Sequence, residues 1–265
     1  MNRNRRCSSL SGDQGLSRRQ LLSWGAAAAA TVLSRPVLAQ NRLRRVVVWS
    51  EGTAPADVYP KDINGAIADG LKSLSGWEVV VANLNDPDQG FSGSRLEQAD
   101  VLIWWGHKKH GDVKDALVDR IERRVKEQGM GFIAVHSSHF AKPYKRLMGT
   151  ACTWGAYKVD GSAVQLIVKD PAHPIAQGIR NFTLPKTERY AEPFATPTPE
   201  AVVFDGLYLK PDGTSEPGRQ GLCWTVGKGR VFYFTPGHET YPDLFRDDVR
   251  RIFRNAVEWA APRAS

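Results

Sequence analysis

From Arg45 onward the chain alternates short, continuously apolar runs with longer stretches whose apolar positions recur every three or four residues, and few folds accommodate that alternation. It is the pattern of βαβ units, in which a crossover helix brings the chain back to start a parallel neighbouring strand. Strands are predicted at Arg45–Trp49, Trp77–Ala82, Val101–Trp105 and Gly131–Val135, with helices at Lys61–Leu74 and Val113–Glu127. Ile63, Ile67, Leu71 and Leu74 share one face of the first helix. Val101-Leu102-Ile103 and Phe132-Ile133-Ala134-Val135 show no polar alternation, as strands covered by helices on both faces should not. Past a helix at His139–Met148 the runs shorten to Ala163–Val168, Ala201–Tyr208, Gly221–Val226 and Arg230–Phe234, separated by Pro- and Gly-rich turns, which reads as an antiparallel extension of the sheet. A closing helix over Asp247–Trp259 carries Val249, Ile252, Phe253, Ala256 and Val257 as its buried stripe. The expected fold class is α/β, a mainly parallel sheet with helices on both faces.

The first 39 residues read as an address and not as part of this domain. Ser17-Arg18-Arg19-Gln20-Leu21-Leu22 precedes an Ala-rich apolar run and then Val37-Leu38-Ala39, the parts of a signal peptide, and the paired arginines point to the twin-arginine route and a periplasmic destination. The apolar run is shorter than the roughly 20 residues that span a bilayer, so no stable membrane anchor is expected after cleavage. Six arginines against one acid in this segment account for +5 of the formal +8, and the remaining +3 is dispersed through helices. That excess does not point to a nucleic-acid partner. One domain over residues 40–265 follows, with 42% hydrophobic and 24% charged residues, enough apolar material for a substantial core. Self-association into a homo-oligomer stays open. Cys152 and Cys223 lack the spacing of a zinc knuckle and read as core residues, their pairing left open. No G-x-G-x-x-G or Walker loop occurs, so no nucleotide cofactor is expected.

The predicted strands put chemistry at one rim, because open α/β sheets bind ligands at the carboxyl ends of their strands. Of six histidines, five follow a strand end: His107 and His110, His136 and His139, and His238. Imidazole is both a near-neutral acid/base and a common zinc ligand. A catalytic divalent metal, zinc by ligand type, wants three protein ligands and an open position, for which His107, His139 and His238 are the expected ligands. His136, His238, Glu239 and Glu188 are the candidate acid–base groups. Trp105, His110, Ser137, Tyr190, Glu192 and Tyr241 are candidates to contact a substrate, Trp105 by offering an aromatic face that suits stacking on a sugar ring. His173, in a turn, is read as structural.

The segments V-V-V-W, V-Y-P, W-W-G-H-x-x-H, H-S-x-H-F, L-M-G-T, H-P-I-x-x-G-I, E-x-Y-x-E-P-F and P-G-H-E-T-Y-P, in this order between Arg45 and Ala261, resemble the ThuA or trehalose-utilisation family. The resemblance implies a flavodoxin-like sheet of the class I glutamine-amidotransferase type and a link to disaccharide use, oxidised keto-sugars included. Related amidotransferases place a cysteine at the turn after the fourth strand, and a His with a Glu after a late one. His238-Glu239 stands where that pair would be, but His136-Ser137-Ser138 has no cysteine, so the chain is not expected to hydrolyse glutamine. Ser137 lacks the flanking glycines of a G-x-S-x-G elbow, which counts against a serine hydrolase. Many family members carry a histidine where this chain has Asn64. The leading expectation is an enzyme acting on a sugar or glycoside through a His/Glu-rich, metal-binding pocket; the competing one is a periplasmic sugar-binding or accessory protein without catalysis.

Overall fold

The structure, a computed structural model, describes residues 42–263, and the expected signal segment lies outside them. In chain order the elements are β1 (Arg44–Ser50), α1 (Asp62–Leu71), β2 (Trp77–Asn83), β3 (Val101–Trp105), α2 (Asp115–Gln128), β4 (Gly131–Val135), α3 (Lys142–Met148), β5 (Ala156–Lys158), β6 (Ala163–Val168), β7 (Phe182–Leu184), β8 (Arg189–Ala191), β9 (Ala201–Leu209), β10 (Ser215–Val226), β11 (Gly229–Phe234) and α4 (Asp247–Ala260). Nine strands form one sheet in the order β2-β1-β3-β4-β11-β10-β9-β6-β7, while β5 and β8 make a separate two-stranded ribbon. The run from β2 to β11 is parallel. From β11 outward every pairing is antiparallel, which is the extension predicted from the shorter runs.

The continuous apolar runs are explained by the two layers that sandwich the sheet. Val46, Val48, Ile103, Ile133 and Phe232 pack with Ile63 and Ile67 of α1 and with Val249, Ile252 and Phe253 of α4. Their chain neighbours Val47, Leu102, Phe132 and Val231 face the other way, onto Leu117, Val118 and Ile121 of α2 and Tyr144 and Leu147 of α3. Successive strand residues point to opposite faces, so a sheet covered twice has no position to spare for a polar residue. Helix α2 ends at Gly129 in the left-handed conformation (φ +79°), which turns the chain directly into β4. At Gly131 a Cβ would stand 2.4 Å from the carbonyl oxygen of Ala260, so only glycine lets the end of α4 close on the start of β4.

Three expectations need correction. The helix expected at His139–Met148 is a 3-10 turn over His136–Phe140 followed by α3; Ala141 between them is extended, and Pro143, which has no N–H to continue a helix from His139, stands in the first turn of α3. Strand β10 starts at Ser215, before Pro217 and Gly218, because that stretch pairs with β9 alone and the proline's missing N–H faces no ladder. The three-residue strands β5, β7 and β8 are too short for a periodicity to register. Cys152 and Cys223 are both free and buried, and they lie in opposite layers with the sheet between them, so they do not pair.

Candidate functional site

Because β3, β4 and β11 are adjacent, the residues just past their carboxyl ends meet. His107 comes two residues after β3, His136 immediately after β4, and His238 four residues after β11. His136 has φ +56°, the left-handed region that non-glycine residues avoid, and such strain gathers at functional positions. The three rings form a near-equilateral triangle, with centroids 5.4 Å (His107–His136), 5.0 Å (His107–His238) and 5.2 Å (His136–His238) apart. Glu188, one residue ahead of β8, completes the set: one ligand atom from each of His107, His136, Glu188 and His238 lies within 4.8 Å of all the others.

The surroundings orient these groups. His136 Nδ1 lies 3.0 Å from the Thr235 carbonyl oxygen, which can only accept, so Nδ1 carries a proton and Nε2 points into the cluster, 3.1 Å from Glu188 Oε2. His107 Nδ1 lies 2.6 Å from Glu239 Oε2, the carboxylate–histidine pairing that leaves Nε2 free for a ligand. Glu239 is 1% exposed and also holds Lys108 Nζ at 2.8 Å. Burial pushes its carboxyl up, but the bonds to His107 and Lys108 outweigh it and hold the group well below the usual carboxylate range. His238 Nδ1 has the Thr240 hydroxyl 2.8 Å away. Burial, then the neighbouring His136, pulls His238 down to about 4, so it is neutral at neutral pH, the form that binds metals. Glu188 is pushed up by burial yet held down at about 2 by His136, Tyr190 and His238, so it is ionised. Three imidazoles and a carboxylate are a donor set for zinc and similar divalent ions, and the cluster can hold one. Bonds of 2.0–2.1 Å in tetrahedral geometry require ligand atoms about 3.4 Å apart, a modest contraction from the spacing found.

Beside this cluster opens a cleft of about 180 Å³ lined by His107, His110, Ser137, His139, Phe140, Tyr157, Glu188 and Tyr190. The Tyr190 hydroxyl ties the two together, lying 2.8 Å from Glu188 Oε2, 2.8 Å from Ser137 Oγ and 3.3 Å from His136 Nε2. Ser137 thus meets a phenol and no imidazole, which leaves it without the base a nucleophilic serine needs.

Several sequence-predicted roles change. His139, an expected metal ligand, lies outside the four-residue set, which contains His136 instead. The 3-10 turn carries His139 into an aromatic layer, its Nδ1 3.1 Å from the Tyr233 hydroxyl and 3.3 Å from the His136 carbonyl, and burial pulls it down to about 3. Glu239 backs His107 and does not face the cleft. Trp105 is fully buried with Nε1 bonded to the Gly237 carbonyl at 3.0 Å, so it offers a ligand no face. Glu192 turns away to Arg219, 2.7 Å from Nε. Tyr241 packs against His238, rings 5.2 Å apart, outside the cleft lining. Asn64 bonds the Ala82 carbonyl at 2.8 Å and does not line the cleft either. His173 accepts from the Ile175 N–H at 3.2 Å, the structural part expected of it.

Sequence reasoning missed Tyr157, which the β5–β8 ribbon sets opposite Tyr190, and Phe140. It also missed Glu51, a buried carboxylate immediately after β1. The signal was available for Glu51: an acid directly following an apolar strand, at the same rim as the histidines.

Comparison with known proteins agrees with this architecture. A search of curated proteins gives no match. Among solved structures, the chain is similar to a ThuA-like protein from Bacteroides uniformis (16% identity, TM-score 0.59, 83% of this chain and 92% of that one) and to a ThuA-like protein from Parabacteroides merdae (12% identity, TM-score 0.55, 82% and 89%). It is also similar to a cytoplasmic protein of Salmonella typhimurium LT2 (12% identity, TM-score 0.55, 82% and 99%). At these identities the likeness is one of fold. The ThuA family model, described as trehalose utilisation, matches residues 45–260, nearly everything after the expected signal, and with that span the chain belongs to the ThuA family.

Proposed function

We propose that this chain is an enzyme acting on a sugar or keto-glycoside at the cleft beside the imidazole cluster, with a divalent metal, zinc by donor type, held by His107, His136 and His238. The observation that carries the reading is the gathering of three imidazoles and one carboxylate within 4.8 Å at the edge of an open cleft. Three histidine ligands leave a position for a substrate oxygen, as in catalytic zinc sites. When bound, the metal would polarise that oxygen and lower the pKa of a hydroxyl or water on it.

The chain's own groups divide the remaining work. Glu188 stands between the cluster and the cleft as a carboxylate, placed to accept a hydrogen bond from a sugar hydroxyl and orient it, while its low pKa makes it a weak base. Tyr190, whose phenol burial raises well above its ordinary value, stays protonated and keeps Glu188 aimed by a 2.8 Å hydrogen bond. The cleft, at about 180 Å³, is smaller than the roughly 300–1,000 Å³ of sites that swallow a drug-sized ligand, which suits one sugar ring with the rest of a glycoside outside. The family's description, trehalose utilisation, supports a disaccharide or its oxidised derivative as the substrate class.

The test is metal content after purification, followed by turnover of a panel of disaccharides and their 3-keto derivatives with and without chelator. Zinc or a similar ion at one per chain and loss of turnover on chelation are expected. Protein that takes up no ion from excess zinc, and turnover indifferent to chelation, would contradict the reading. We further propose export by the twin-arginine route, on the strength of Arg18-Arg19 and the Ala-rich run. Replacing both by Lys should leave precursor in the cytoplasm, and an unchanged periplasmic yield would refute it.

A further inference from the structure

The turn after β3 is wrapped around the carboxylate of Glu51. This residue is 1% exposed, and its Oε2 accepts the backbone N–H groups of His107 (2.9 Å), Lys108 (2.7 Å) and Lys109 (2.9 Å). Three successive amides converging on one oxygen form an anion nest. Among the described residues no Lys or Arg side chain pairs with Glu51, and its nearest ionisable partner is His110, Nδ1 3.6 Å from Oε1. Oε1 packs onto Gly106, where a Cβ would stand 2.9 Å from it and 3.2 Å from His110 Nδ1. The glycine of W-W-G-H-x-x-H is thus what lets the carboxylate and His110 approach each other. Bent around this anion, residues 107–110 send His107 to the imidazole cluster and His110 to the cleft wall.

We infer that Glu51 is a positioning residue for the site, holding the H-x-x-H turn so that His107 meets the metal and His110 meets the ligand. The inference rests on the metal reading given above, and it explains how His107 reaches the imidazole cluster while His110, three residues on, reaches the cleft wall alone. Outer-sphere groups of this kind are worth roughly ten- to a hundredfold in metal affinity.

The experiment is cobalt(II) titration of the mature chain, followed through its visible ligand-field bands. It compares wild type with Glu51→Ala, Glu51→Gln and His107→Ala, alongside amide hydrogen exchange of the metal-free proteins. Wild type should show protected amides at 107–109. Glu51→Ala should lose that protection, bind cobalt roughly ten- to a hundredfold more weakly and shift the bands. Glu51→Gln, which keeps an accepting oxygen, should fall between, and it carries the comparison if the alanine variant does not fold. Wild-type affinity and spectrum in both Glu51 variants, with binding lost in His107→Ala, would overturn the inference and leave the metal reading standing. Unimpaired binding in His107→Ala would overturn the metal reading, and the inference with it.

Discussion

Replacing Glu239 by Gln tests whether the carboxylate behind His107 tunes a metal ligand. Glu239 is 1% exposed and holds His107 Nδ1 at 2.6 Å and Lys108 Nζ at 2.8 Å. Gln keeps the shape and one accepting oxygen but removes the charge that makes the His107 ring a stronger donor and anchors Lys108. Loss of such a partner weakens metal binding by about tenfold or more, or about 1.4 kcal/mol. At zinc concentrations a hundredfold above the wild-type Kd, wild type gains about 2.7 kcal/mol from the metal and a variant bound tenfold more weakly about 1.4 kcal/mol. In a domain of this size each kcal/mol moves Tm by about 2–4 °C, so the zinc-induced rise should fall from about 5–11 °C to about 3–6 °C. The readout is the difference between zinc-loaded and metal-free melts, because the metal-free variant is itself less stable. Its lost carboxylate was held below its ordinary pKa, a contribution present above the unfolded pKa and lost as pH falls through the folded one. Competition with a chromophoric chelator gives the affinities directly. An unchanged zinc-induced rise together with unchanged affinity would mean that His107 is not a ligand tuned by Glu239.

Other outcomes follow from the packing. Asp243 is buried with Oδ2 unpaired, and burial raises its carboxyl to about 7. A raised folded pKa means the native state keeps a proton the unfolded chain releases, so stability is lost between about pH 4 and 7, on the order of 4 kcal/mol. Asp243→Asn should therefore stabilise at pH 8 and change little below pH 4 in urea titrations, and a pH-independent effect would refute this. Gly131→Ala places a methyl 2.4 Å from the Ala260 carbonyl and should cost about 1–3 kcal/mol by the urea midpoint, a neutral outcome showing that α4 does not close on β4 as described. Cys152 and Cys223 should resist thiol reagents in the native protein and react on denaturation, whereas a mass-spectrometric bridge between them would contradict their placement in opposite layers.

The parallel half of the fold was legible because burial on both faces leaves its mark residue by residue: Val101–Trp105 and Gly131–Val135 were placed to the residue by their lack of polar positions. The rim that carries the chemistry followed too, since strand direction alone puts His107, His136 and His238 at the same carboxyl ends. What the sequence could not settle was direction within that rim. His136 and His139 are equivalent as letters after one strand, and only the left-handed φ of His136 and the 3-10 turn that it opens send one imidazole to the cluster and the other into aromatic packing. Glu188 and Glu192 are likewise equivalent around Tyr190 until the ribbon turns one toward His136 and the other toward Arg219. Glu51 lay 56 positions from the histidine whose turn it holds, a pairing that no local pattern reports and that exists only because β1 lies beside β3 in the sheet. Periodicity records which face a residue shows; which groups then meet across that face depends on strand order and backbone conformation, and these exist only once the chain has folded.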